Sequence, residues 1–269
     1  MQPVKASVAL ALLLAVALGL TACQSQPTPT AAPTQAGAPT QAEVPTQAEA
    51  PTEASIETMS PVARSVRLDP ANGDADSLAV DQYVYEGLTR LEGDKPAPGL
   101  AARWQASDDG LAYTFVLRPG LVFHDGTLVN SEAVAANFNR WFDPADPLRG
   151  SGDYAAWAQA FLGFKGEVDA DGHPKSSFDG IEKVDDLTFI IHLNRQDDSL
   201  LTRLAQPAFG IVNPATLASA GDKFSTSADT SIGAGPYYVD SWDGDAIVLQ
   251  PFANYWNGAP ASGLEFPLK

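Results

Sequence analysis

The chain has 269 residues and a formal net charge of −17, with 45% hydrophobic residues and a single cysteine. That acidity excludes the basic face nucleic acid requires, and one cysteine excludes an internal disulfide framework. The apolar content suffices for a packed core of one large or two small domains, so stability has to come from packing.

In chain order, Lys5 is followed by an apolar run from Ala6 to Leu20, too short for a comfortable membrane span, and then by Leu20-Thr21-Ala22-Cys23. The tetrad resembles a bacterial lipobox, which predicts a signal peptide over 1–22 and lipidation of Cys23. Two or more acyl chains hold a protein firmly to a membrane, so the expected product is extracytoplasmic and membrane-anchored through lipid. An ordinary secretory signal and a short membrane anchor are the alternatives. Residues 23–56 follow as a linker: Pro33-Thr34-Gln35-Ala36, Pro39-Thr40-Gln41-Ala42 and Pro45-Thr46-Gln47-Ala48 repeat, and Pro51-Thr52-Glu53-Ala54 is an altered copy. These units have no apolar face to stack and predict a solvated, semi-extended segment.

From about Glu57 the composition shifts to aromatic residues and alternating apolar runs, and 57–269 reads as the folded part. Val80, Val84 and Leu88 predict an amphipathic helix over 77–88 with Ser77 as N-cap. Tyr113, Phe115 and Leu117 alternate as a strand after the Asp108-Asp109-Gly110 turn. Ser131 is the expected cap of a helix carrying Val134, Phe138 and Trp141, ending near Asp143-Pro144. The glycine-rich stretch 146–178 predicts loops and short helices. Ile181 to Leu193 reads as strand, turn and strand, a short helix spans 199–204, and Tyr237-Tyr238-Val239 pairs with Ile247-Val248-Leu249. Strands mixed with helices at these lengths give an α/β or α+β fold.

Three segments then carry a family resemblance: LDPANGDADSLAVDQYVYEGL (68–88), PGLAARWQASDDGLAYTFVLRPGLVFHDGTLVNSEAV (98–134) and GAGPYYVDSWDGDAIVLQPFANYW (233–256). Together they resemble the family 5 solute-binding proteins, the peptide/nickel-type receptors of ABC importers. The resemblance implies a periplasmic-binding-protein-like type II lobe built from 60–86 and 181–269, with a small subdomain inserted over 87–180. Family members are longer, so a second lobe is missing by that comparison. Ala133 stands where the family usually has Asp, and Ala234 where it usually has Thr. The implied partners are a peptide or other small polar solute and the ABC permease subunits, with the protein a monomer.

By the same resemblance, the loop holding Asn72, Asp74 and Asp76 faces the ligand cleft, where its acids could meet an amine; Tyr237 and Trp242 could offer aromatic surface. The competing reading is structural, since Asn and Asp favour caps and strand-end aromatics favour cores. His124, His173 and His192 lack metal-ligand spacing, and Gly233-Ala234-Gly235 lacks the third glycine of a dinucleotide fingerprint. No metal, cofactor or catalytic residue is therefore expected. Two alternatives stand beside the receptor: a truncated lipoprotein that binds no solute, and a surface-attached hydrolase using acid pairs such as Asp108-Asp109, Asp185-Asp186 or Asp197-Asp198.

Overall fold

A computed structural model describes residues 55–150 and 152–269. The expected signal peptide, Cys23 and nearly all of the expected linker lie outside the described residues. The first strand, β1 (Ile56–Thr58), begins at the last residue assigned to that linker.

A 3-10 turn over Pro70–Asn72 leads into α1 (Ala75–Val84). The cap differs from expectation. Asp74 accepts the Ser77 N–H at 2.9 Å, whereas the Ser77 hydroxyl accepts the Arg67 N–H at 3.0 Å. Both residues suit a cap, and the one free of a tertiary partner takes the role. The helix also stops before Leu88, because Tyr85 turns extended and sends its hydroxyl to the Leu68 carbonyl.

A two-stranded hairpin of β2 (Thr89–Glu92) and β3 (Lys95–Pro98) comes next. Then β4 (Ala101–Ala106) pairs with β5 (Ala112–Leu117). The helix α2 (Ser131–Phe142) buries Val134, Phe138 and Trp141 as the apolar spacing predicts. Its cap is Asn130, whose side chain accepts the Ala133 N–H at 2.9 Å, while the Ser131 hydroxyl is drawn to the Asp185 carbonyl. Among the described residues of the glycine-rich stretch one helix forms, α3 (Ala155–Phe161).

Next come β6 (Phe178–Lys183) and β7 (Thr188–Leu193), which pair with each other and, through β7, with β5. The four-stranded order is β4-β5-β7-β6, all antiparallel. The boundary expected at 180/181 therefore falls inside this sheet. Alternating Phe189, Ile191 and Leu193 bury on the face that Phe115 and Leu117 share, which holds the hairpin on this side.

The chain returns through α4 (Leu200–Arg203), α5 (Pro214–Ala220), β8 (Tyr237–Trp242), β9 (Ala246–Pro251) and β10 (Gly263–Pro267). The last three join β1 in a four-stranded sheet of order β1-β10-β9-β8, in which β1 and β10 run parallel and β9 is antiparallel to both neighbours. The class is mixed α/β. One core lies under the β4-to-β7 sheet with α2 and α3; the other packs α1 and α5 against the sheet of β1 and β8 to β10.

Candidate functional site

Pairing directions make β1, β10 and β8 point the same way, so Thr58, Pro267 and Trp242 mark one end of their sheet. The amino end of α1 is tied to that end, because Asp76 Oδ2 accepts the Ala63 N–H at 2.9 Å in the segment leaving β1. Arg64 in the same segment reaches the Gly244 carbonyl in the β8–β9 turn. Loops at the carboxyl ends of strands are where α/β sheets hold ligands, since chain reversals there leave a crevice bordered by helix N-termini.

Asn72, Asp74, Asp76 and Trp242 share this end; Tyr237 does not. Asp74 is exposed and caps α1, and half-buried Asp76 is fixed by Ala63. Asn72 borders a small cavity with Arg67, Asp69, Arg149 and Asp222. Trp242 is half-buried, packing one side on the core. Tyr237 lies at the opposite end of β8, about 17 Å away along a six-residue strand. It is 9% exposed and meets Tyr83 edge-on at 5.8 Å between ring centres.

Arg64 and Arg67 belong to the same rim and were not singled out by the sequence, where isolated arginines carry no spacing signal. Arg67 Nη2 donates to the carbonyls of Asp222 at 2.7 Å and Phe224 at 3.3 Å. Behind the rim, Arg140 is completely buried and donates to both oxygens of Asp69, at 2.7 and 3.2 Å. Asp81 is also buried, and no described residue bonds either carboxylate oxygen. Desolvation, then the nearby Asp69 and Asp74, push its carboxyl well above the ordinary range.

The acid pairs weighed for hydrolysis have structural engagements. Asp109 accepts the Leu111 N–H, Asp185 accepts the Leu187 and Thr188 N–H groups, and Asp197 binds Arg203 at 2.6 Å. His124 joins two of the family-like segments: its Nδ1 accepts the Gly233 N–H at 3.3 Å, which leaves Nε2 to donate to the Gly235 carbonyl at 3.1 Å. Desolvation lowers its pKa to about 4, so the ring is neutral. His192 meets Glu182 at 3.1 Å. Asp169, Asp171 and His173 bring ligand atoms within 4.8 Å of one another on an exposed turn, yet Asp169 Oδ1 already accepts the N–H groups of the other two. Among the described residues no helix is long and apolar enough to cross a membrane.

The sequence model of bacterial extracellular solute-binding proteins, family 5 (middle region), matches residues 95–263. The glutathione-binding protein GsiB of Escherichia coli O1:K1 / APEC is 33% identical over 192 residues, covering 70% of this chain and 33% of the relative. The chain thus spans about a third of the length of the curated relatives it matches. Among solved structures, HbpA2 from Haemophilus parasuis superposes with a TM-score of 0.67 at 26% identity, covering 80% of this chain and 43% of that one. The periplasmic binding protein DppA from Helicobacter pylori, in complex with the peptide STSA, gives 0.65 at 25% identity, covering 80% and 42%.

Proposed function

Because the chain belongs to the family 5 bacterial extracellular solute-binding proteins, we propose that it is a solute-capturing component of an ABC importer, taking a peptide or similar small polar solute. The observation that carries this reading is the convergence of the α1 amino end with the carboxyl ends of β1, β10 and β8. The relatives' names support the ligand class: one is a glutathione-binding protein and another was solved with a bound peptide. Asn72, Asp74, Asp76 and Trp242 are the residues that meet solute, the carboxylates facing its amine; Tyr237, at the far end of β8 against Tyr83, is not among them. Residues 1–22 are the signal peptide, 23–56 the linker, and lipidated Cys23 anchors a monomer outside the cytoplasm, where it meets the permease.

Asp74→Ser separates binding from capping, since serine caps a helix about as well as aspartate but carries no charge. In calorimetric titration of the full chain with glutathione and mixed short peptides, Asp74→Ser should weaken binding about tenfold, the scale of a lost charged hydrogen bond. Thermal stability should barely move. Unchanged affinity would restrict Asp74 to the cap, and no binding by the unsubstituted chain would remove the receptor reading.

The anchor has its own test. Cys23→Ser should move the protein from the membrane to the soluble fraction, because the acyl chains supply most of its membrane affinity. Mass spectrometry finding an unmodified Cys23 in the mature protein would overturn lipidation.

A further inference from the structure

At the opposite end of α1 lies a cleft of about 260 Å³ unrelated to the rim just described. Its walls are the last turn of α1, the start of β2 and the turn over 205–210, with Gln82, Glu86, Thr89, Arg90 and Gln206 contributing polar groups. The Val84 carbonyl accepts the Gly235 N–H, fixing this helix end against the amino side of β8. A β-carbon on Gly210 would stand 2.6 Å from Tyr85 Cβ, and one on Gly87 2.7 Å from the Leu204 carbonyl oxygen, so the cleft has a tightly packed base.

Two opposite charges border it. Glu86 is only 9% exposed; its Oε2 accepts the Tyr255 hydroxyl at 2.8 Å, and no described residue bonds its other oxygen. Desolvation pushes its carboxyl up to about 7, even though Tyr255, Arg90 and Arg118 favour the ionised form. The group therefore gains from a further cationic contact. The carbonyl end of α1 adds negative potential, with no basic residue in its last turn to offset it. Arg90 holds Glu92 with Nη2 at 2.7 Å and lies 5.5 Å from the Trp256 ring centre, while its Nη1 is not engaged by any described residue. Arg118, 3.7 Å over the same ring, is already committed to the Gly99 and Pro98 carbonyls.

A simple cation would satisfy Glu86 but meet repulsion from Arg90 and Arg118. An anion would satisfy Arg90 but face Glu86 and the helix carbonyls. From this charge arrangement we propose that the cleft is a second binding site, for a small zwitterion of the amino-acid class, with its ammonium on Glu86 and its carboxylate on Arg90. The proposal does not rest on the rim at the other end of the lobe.

Trp256 is the reporter, since it underlies both arginines and its indole N–H is buried with no partner among the described residues. The full chain carrying ¹⁵N-labelled tryptophan is titrated with L-glutamine, butylamine and butyrate. L-Glutamine should shift the Trp256 indole resonance saturably in the millimolar range, and each half-ligand should bind at least about tenfold more weakly, having lost one charged contact. Arg90→Leu and Glu86→Gln should each weaken L-glutamine about tenfold. Should Glu86→Gln fail to fold, Arg90→Leu decides, because Arg90 is partly exposed. No saturable shift at roughly 50 mM L-glutamine, half-ligands binding as well as the zwitterion, or Arg90→Leu binding normally would each overturn the site.

Discussion

Arg140 and His124 show how single side chains hold this lobe. Arg140 has no solvent exposure and depends on Asp69 for its counter-charge, and Asp69 also accepts the Ala71 N–H at 3.1 Å. Asp69→Ala strands a buried guanidinium, so urea unfolding should report a loss of about 3–5 kcal/mol. Replacing both partners with Asp69→Leu and Arg140→Met should recover most of it. A single-mutant cost under about 1 kcal/mol would show that water reaches the arginine. His124 gives a pH dependence. Its folded pKa of about 4 lies below the ordinary 6.5, so the unfolded chain binds the proton more readily between these values. Its contribution is complete above pH 6.5 and falls as pH drops from 6.5 through 4, by about 3 kcal/mol in all. The stability difference between the natural chain and His124→Gln should shrink over that window; a difference independent of pH would contradict the buried neutral ring.

Between elements, close backbone approach decides what the sequence tolerates. A β-carbon at Gly235 would lie 2.6 Å from the Val84 carbonyl carbon and 2.7 Å from the Tyr83 carbonyl oxygen, so the glycine-rich turn before β8 rests directly on the end of α1. Gly235→Ala should cost about 1–3 kcal/mol by overpacking and lower the melting temperature by roughly 2–4 °C per kcal/mol. An unchanged melting temperature would mean the turn can lift off the helix. The helices themselves were legible: Val134, Phe138 and Trp141 at helical spacing are all buried on α2. Their ends were less so, because Asp74 with Ser77, and Asn130 with Ser131, offer two capping residues in one turn and only tertiary demand selects between them. Alternation likewise revealed the strands of 181–193 without their partner; it specifies a buried face, not a neighbouring strand. The rim acids could be read as caps or ligand contacts from their types alone. Glu86 and Tyr255 could not be connected, because 169 residues separate a bond that only the fold closes.

Across the whole lobe, two cores share a small set of polar ties. Asn137 on α2 donates to the Val212 carbonyl at 2.9 Å and accepts the Val212 N–H at 3.2 Å, joining a helix of one core to a residue of the other. Asp69, next to Leu68 of one core, and Arg140 on α2 of the other bridge in the same way. Domains above about 150 residues often depart from two-state unfolding, so these ties determine whether the cores melt together. Trp141 and Trp157 are buried in the first core, and Trp104 and Trp256 pack against it; only Trp242 packs against the second. Tryptophan fluorescence therefore reports mainly on one core, whereas far-UV circular dichroism reports on both sheets. The two signals should coincide in urea for the natural chain. Asn137→Ala leaves the Val212 N–H and carbonyl buried without partners, a loss of about 2–4 kcal/mol that should shift both curves equally if the cores stay coupled. A fluorescence transition separated from the dichroism transition in the natural chain would show that the two cores unfold independently, with the polar ties too weak to unite them.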